Sequence, residues 1–223
     1  AVVPSSTRSP ALLAMEAATV SQLLGGRTMS LGIGSSSQFI LDSWHAAPFE
    51  PPLTRVRETV EATRALLAGA KGFQGDHVRV SRFALTTPPA GAVRLFVGAL
   101  GPGMLGVAGA VGDGVCLNLM PPSLVHRQRQ AVVDGALRAG RELPGDFTVM
   151  ARLHTVPTDD LNAGRSLVRS AFGPYFGQPV YNRFLSSMGY PEEAAAVAAA
   201  FAIGDRDGVA RAMHDRVVDD IAI

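Results

Sequence analysis

The chain has a single cysteine (Cys116), a single lysine (Lys71) and a single tryptophan (Trp44) among its 223 residues. One thiol excludes an internal disulfide framework, and its place in the apolar run VCLNL marks it as a buried thiol. There is no excess of either charge, with 20 basic against 19 acidic residues. Bulk electrostatics therefore draw neither nucleic acid nor an anionic membrane to it. The opening AVVPSSTRSP has no charged region followed by an apolar core, so a cytoplasmic protein is expected. His45, His77, His126, His154 and His214 are scattered without ligand spacing, and no metal is expected. There is no G-x-S-x-G elbow to carry a nucleophile. The near absence of lysine beside abundant Ala, Gly and Val reflects codon supply rather than chemistry.

What is present is a sizeable apolar fraction, 47%, enough for one large α/β domain or two small ones. The chain is organised around Leu95 to Leu119, LFVGALGPGMLGVAGAVGDGVCLNL. Two apolar runs of strand length flank a short helix of small residues that opens at Pro102, where a missing N–H is tolerated. Continuous apolar strands joined by a packed helix imply a parallel sheet buried on both faces. The loop Ala99-Leu100-Gly101-Pro102-Gly103 is expected to leave bare N–H groups at a helix start, a geometry that suits a phosphate. Gly101 to Gly106 also matches G-x-G-x-x-G, but no carboxylate ends the following strand, as a dinucleotide fold requires. The uncharged run Leu95 to Gly112 approaches the length of a membrane span, yet six glycines and a proline interrupt it.

The rest of the chain alternates in the same way. Ala1 to Pro4 reads as a strand end; Ser9 caps a helix with Pro10 in its first turn. Thr28 to Gly34 reads as a strand and Ser35 to Pro52 as a loop. Arg55 to Leu67 is an amphipathic helix with its arginines and glutamates outward. Gly72 to Leu85 is a small hairpin, Ser123 to Ala139 a basic amphipathic helix, and Phe147 to Thr155 a strand. Thr158 is expected to cap a helix beginning at Asp159-Asp160. Gly173 to Val218 reads as helical, broken at Pro179, Gly189-Tyr190-Pro191 and Gly204-Asp205, and Ile221 to Ile223 as a strand beginning. Regular βα alternation points to an α/β barrel or a doubly wound sheet. A closed eight-stranded barrel typically takes roughly 250 residues, so on this count the chain is a piece cut at both ends.

The segments GGR-x-x-x-LGIG (Gly25 to Gly34), WH-x-x-PF-x-x-P (Trp44 to Pro52) and ALGP-x-ML (Ala99 to Leu105) resemble the luciferase-like monooxygenase superfamily. More closely, they resemble its branch of coenzyme F420-dependent oxidoreductases, relatives of methylenetetrahydromethanopterin reductase. The resemblance implies a (β/α)8 TIM barrel of bacterial-luciferase type, here incomplete and covering about strands 3 to 7, with residues 1–223 as one barrel domain. It implies hydride transfer between the deazaflavin coenzyme F420 and a small organic substrate, in a homo-oligomer. The alternatives are an FMN-dependent monooxygenase of the same superfamily, or a non-catalytic flavin-binding or truncated relative. By position in the family, the coenzyme phosphate lies against Ala99, Leu100 and Gly101, with Gly98 allowing close approach. Ala1-Val2 takes the place of a non-prolyl cis peptide that backs the deazaflavin ring.

Five further candidate residues come from strand ends and loops. Ser35 and Ser36 close the Thr28–Gly34 strand, and Asn118 ends the Val115–Leu119 strand. Both places are at the mouth of a barrel, where coenzyme and substrate bind. Trp44 and His45 are the catalytic candidates, since the unperturbed pKa of an imidazole in general lies near neutrality.

Overall fold

The structure, a computed structural model, describes residues 2–49 and 51–222. Seven strands are present among these described residues: β1 (Val2–Pro4), β2 (Met29–Gly34), β3 (Phe73–Gln74), β4 (Arg79–Val80), β5 (Val93–Gly98), β6 (Gly114–Asn118) and β7 (Thr148–Arg152). Ten α-helices accompany them: α1 (Pro10–Leu23), α2 (Gln38–His45), α3 (Pro52–Leu67), α4 (Pro102–Val111), α5 (Val125–Arg138), α6 (Leu161–Gly177), α7 (Pro179–Ser187), α8 (Pro191–Ala202), α9 (Arg206–Ala212) and α10 (Asp215–Ile221). The contacts divide the chain into two compact units, Ala1–Leu117 with Arg127–Met150, and Asn118–His126 with Ala151–Ile223. No helix among the described residues is long and apolar enough to cross a membrane.

The main sheet has five strands in the order β1-β2-β5-β6-β7. The first four pair in parallel, with Val3 opposite Ile33, Leu31 opposite Leu95, Ile33 opposite Val97, and Val97 opposite Val115. Consecutive residues Leu95, Phe96 and Val97 are all buried, as a strand covered on both faces requires. The α/β class and the parallel sheet follow the sequence expectation. β7 departs from it, because Met150, Ala151 and Arg152 are exposed.

In the first unit, Ser9 caps α1 as expected, its hydroxyl accepting the Leu12 N–H at 3.2 Å. α4 is made of small residues because α5 runs against its backbone. A side chain at Gly109 would meet the Val132 carbonyl at 2.0 Å, and one at Gly135 would meet Gly106 Cα at 2.3 Å. Asp113 ties the base of the unit together: its carboxylate accepts the Leu95 N–H at 2.8 Å and pairs with Arg64 at 3.0 Å. The expected hairpin is the antiparallel pair β3–β4. Glu58 on α3 corrects the expectation that this helix turns its glutamates outward. It is 3% exposed, and its carboxylate accepts the N–H groups of Asp76, His77 and Val78 at 2.9, 2.8 and 2.9 Å. Burial pushes this carboxyl up, but the three backbone bonds and the charge of His77 outweigh it, so the pKa lies below the ordinary value.

Two more expectations are corrected. Ser35 to Pro52 is not all loop, since α2 occupies Gln38–His45, capped by Ser37. Its signal is faint because only Leu41 among its residues is buried. The cap of α6 is Asp160 rather than Thr158: its carboxylate accepts the N–H groups of Asn162 and Ala163. In the second unit, the helix breaks at Pro179, at Gly189-Tyr190-Pro191 and at Gly204-Asp205 fall as expected, with a further one at Met213-His214. Arg165 pairs with Asp219 and Asp215, and Arg169 with Asp215. Buried Tyr190 donates its hydroxyl to Asp220. Ala222, expected as strand, forms a parallel bridge with His154, while Ile221 is still helical.

Candidate coenzyme and substrate sites

The C-terminal ends of β1, β2 and β5 bring Val2, Gly34 and Gly98 together. A Cβ built on Gly34 would lie 2.9 Å from Val2 Cγ1, and one on Gly98 would lie 2.8 Å from the same atom. Two glycines on adjacent strands thus make room that the Val2 side chain fills, and that side chain is itself 45% exposed. Val2 and Gly98 were both candidates from the sequence; Gly34 was not, although it ends the LGIG motif. Ala1 and the Ala1–Val2 peptide lie outside the described residues.

The Ala99–Gly101 loop follows directly. Here one expectation needs correction: the Ala99 N–H is not bare, because it donates to the Cys116 carbonyl at 3.0 Å and extends the β5–β6 ladder. Gly101 starts α4 without any side-chain cap. The first helical bond runs from the Leu105 N–H to the Gly101 carbonyl at 3.1 Å. The N–H groups of Leu100, Gly101, Gly103 and Met104 therefore have no partner among the described residues. A side chain at Gly101 would meet nothing within 4 Å. Unpaired donors at a helix start, in open space, attract an anionic oxygen both directly and through the helix dipole. This cradle fits the phosphate of a coenzyme.

Ser35 and Ser36 are half-buried just beyond β2. Ser35 donates its hydroxyl to the Ser36 carbonyl at 3.2 Å, and Ser36 holds a left-handed φ of 59°. Trp44 is 68% exposed at the C-terminal end of α2, and His45 next to it is exposed too. Neither side chain makes a hydrogen bond or a ring contact among the described residues. Cys116 is half-buried, and burial pushes its thiol up, so it stays protonated and unreactive near neutral pH.

Asn118 ends β6 as expected, and its amide oxygen is already taken. The Oδ1 atom accepts from His154 Nε2 at 2.8 Å. The edge of the Phe172 ring contacts the imidazole with centroids 4.4 Å apart and a 64° interplanar angle. Burial, then the positive charge of Arg152, lowers the His154 pKa from its ordinary value. Sequence reasoning missed His154: it stands 36 positions from its partner, and only the neighbouring of β6 and β7 brings such strand ends together. Among the described residues no cluster of three or more His, Cys, Asp or Glu is arranged to hold a metal.

A parallel sheet whose β5 runs into the uncapped start of α4 defines an α/β protein of the kind that can seat an anion at a strand end. The luciferase-like monooxygenase family matches residues 1–223, and the chain belongs to that family. It is 32% identical over 224 residues to the 5,10-methylenetetrahydromethanopterin reductase of Archaeoglobus fulgidus, an alignment covering 96% of this chain and 65% of the relative. It is 31% identical over 148 residues to the F420-dependent glucose-6-phosphate dehydrogenase of Nocardia farcinica, covering 64% of this chain and 44% of the relative. The chain thus spans about two thirds or less of the length of these curated relatives. Its fold matches the coenzyme F420-dependent tetrahydromethanopterin reductase of Methanopyrus kandleri with a TM-score of 0.75 at 22% identity, over 100% of this chain and 68% of that one. The expected luciferase-type α/β fold and the resemblance to the F420 branch are both supported by these matches.

Proposed function

We propose that the chain is the coenzyme-binding part of an F420-dependent oxidoreductase that moves a hydride to or from a small organic substrate. The observation that carries this is the set of unpartnered donors at the start of α4, directly after the strand end where the exposed Val2 side chain packs over Gly34 and Gly98. The names of the relatives support it, since those in Archaeoglobus fulgidus and Nocardia farcinica are a reductase and an F420-dependent dehydrogenase. When bound, the deazaflavin supplies the hydride chemistry. The protein supplies the rest: the N–H groups of Leu100, Gly101, Gly103 and Met104 hold the phosphate, and Val2 backs the ring over the two glycines. Ser35 and Ser36 border the same sheet edge and donate or accept hydrogen bonds there. Trp44 and His45 at the end of α2 are the proposed catalytic groups, His45 acting as an acid or polarising the substrate.

The test is binding. F420 titrated into the full chain should lose fluorescence in a saturable way, and F420 should outcompete FMN. Tight FMN binding with oxygen consumption on reduction would replace the proposal by the monooxygenase alternative. A homo-oligomer in the cytoplasm, acting on neither nucleic acid nor membrane, completes the proposal; light scattering of the full chain tests the assembly.

A further inference from the structure

We propose that α2 is a lid hinged at Ser36 and Ala46, which stands open in this structure and closes Trp44 onto a coenzyme seated at the start of α4. The proposal rests on the coenzyme-binding reading above. Every residue it uses belongs to the first unit. α2 follows β2, whose last residue Gly34 lies against Gly98: a Cβ built on Gly34 would be 3.7 Å from the Gly98 carbonyl oxygen. The chain comes back at Leu53 in the first turn of α3, and Leu53 Cδ1 would lie 3.1 Å from a Cβ on Gly103. Gly98 and Gly103 bound the loop that carries the unpaired N–H groups. α2 is thus tethered at both ends of that loop.

The helix is seated along only half of its inner face. Leu41, Trp44 and His45 stand at i, i+3 and i+4 and so share one face. Leu41 is fully buried, whereas Trp44 is 68% exposed and His45 is exposed too. A large apolar ring on the same face as a buried leucine gains by being covered. The hinges favour that movement. Both are non-glycine residues in the left-handed region, Ser36 at φ 59° and Ala46 at φ 47°. Ala46 ends α2 by donating its N–H to the Asp42 carbonyl at 3.2 Å, and Ala47 donates to the Leu41 carbonyl at 3.0 Å. Glycine makes such a helix stop without strain and alanine does not. The open position therefore carries a backbone cost at both ends and leaves Trp44 in water. A ligand shifts such an equilibrium only through contacts made in the closed state. Here these are the contacts of Trp44 and His45 with the bound molecule.

The test uses the full chain grown with 5-fluorotryptophan, which labels Trp44 alone because the chain has one tryptophan. Without ligand, the fluorine resonance should show the solvent-isotope shift of an exposed ring. Saturating F420 should move the resonance and remove that shift. Trp44→Ala should speed F420 dissociation about tenfold and leave association within about twofold, because a lid acts on escape. Ala46→Gly relieves the strain of the open position, so it should raise the melting temperature and weaken F420 binding about fivefold. A fluorine resonance that stays exposed in the F420 complex overturns the lid, as does Ala46→Gly affinity equal to wild type or Trp44→Ala dissociation at the wild-type rate. In these cases the coenzyme reading stands. F420 that does not bind the wild-type chain overturns both.

Discussion

Replacing Glu58 by glutamine removes the charge that fastens the β3–β4 hairpin to α3 while keeping the side-chain shape. The wild-type carboxylate accepts three backbone N–H groups, at 2.9, 2.8 and 2.9 Å. Hydrogen bonds to a charged group contribute roughly 1.5–3 kcal/mol each, without strict additivity. Glutamine keeps one acceptor oxygen and turns an NH2 toward at least one of the donors, so a loss of about 2–4 kcal/mol is expected. Alanine leaves all three donors unpaired and should cost more. The sign with pH follows from a folded-state pKa below the ordinary value. The wild-type contribution is complete above the unfolded carboxylate range and disappears as pH falls through the lowered folded pKa. Urea melts of wild type and Glu58→Gln from neutral pH into the acid range should therefore converge at the acid end. Hydrogen exchange should locate the effect, with the Asp76, His77 and Val78 amides losing protection at neutral pH in the variant. Unchanged protection of these amides, or a stability difference independent of pH, would refute the assignment.

Gly75→Ala should act on the same contact, because its Cβ would fall 2.5 Å from the Glu58 carboxylate; a double-mutant cycle with Glu58→Gln should be strongly non-additive. On α4, Gly109→Ala should cost several kcal/mol, roughly 3 or more, against a carbonyl 2.0 Å away. Gly106→Ala meets the movable Arg138 guanidinium at 3.3 Å and Gly135 Cα at an ordinary 3.9 Å, and should be neutral or gain a few tenths in the same denaturant melts. Gly98→Ala should shift Val2 and weaken F420 binding about tenfold with little change in melting temperature. Burial, with the Asp220 hydrogen bond and charge, pushes the Tyr190 phenol up to about 12, so ultraviolet titration should show it protonated after exposed tyrosines have ionised, and Tyr190→Phe should remove that late step.

Much of this fold was legible locally. Parallel strands covered on both faces read as unbroken apolar runs, so β2, β5 and β6 were visible within a residue or two. Ser9 before Pro10 and the Gly and Pro breaks between α7, α8 and α9 act within one helical turn. The weak cases have equally physical causes. α2 buries only Leu41, so it leaves no apolar stripe to read. Glu58 looks like any outward glutamate on α3, because the donors that hold it come from a hairpin 18 to 20 positions further on.

The candidate site divides along the same line. The Ala99–Gly101 loop could be found from sequence because an anion seat at a helix start is made by consecutive residues. That the Ala99 N–H is spent on Cys116, and that Val2 roofs both Gly34 and Gly98, depends on which strands lie side by side. The same is true of His154, which carries no signal in its own neighbourhood. It meets a hydrogen-bond partner only when strand order sets it against Asn118. The sequence by itself determined the elements and their ends, through periodicity and capping that act over a few residues. Only the tertiary structure decided which polar groups meet, because those contacts require the loops between distant strands and helices to have closed.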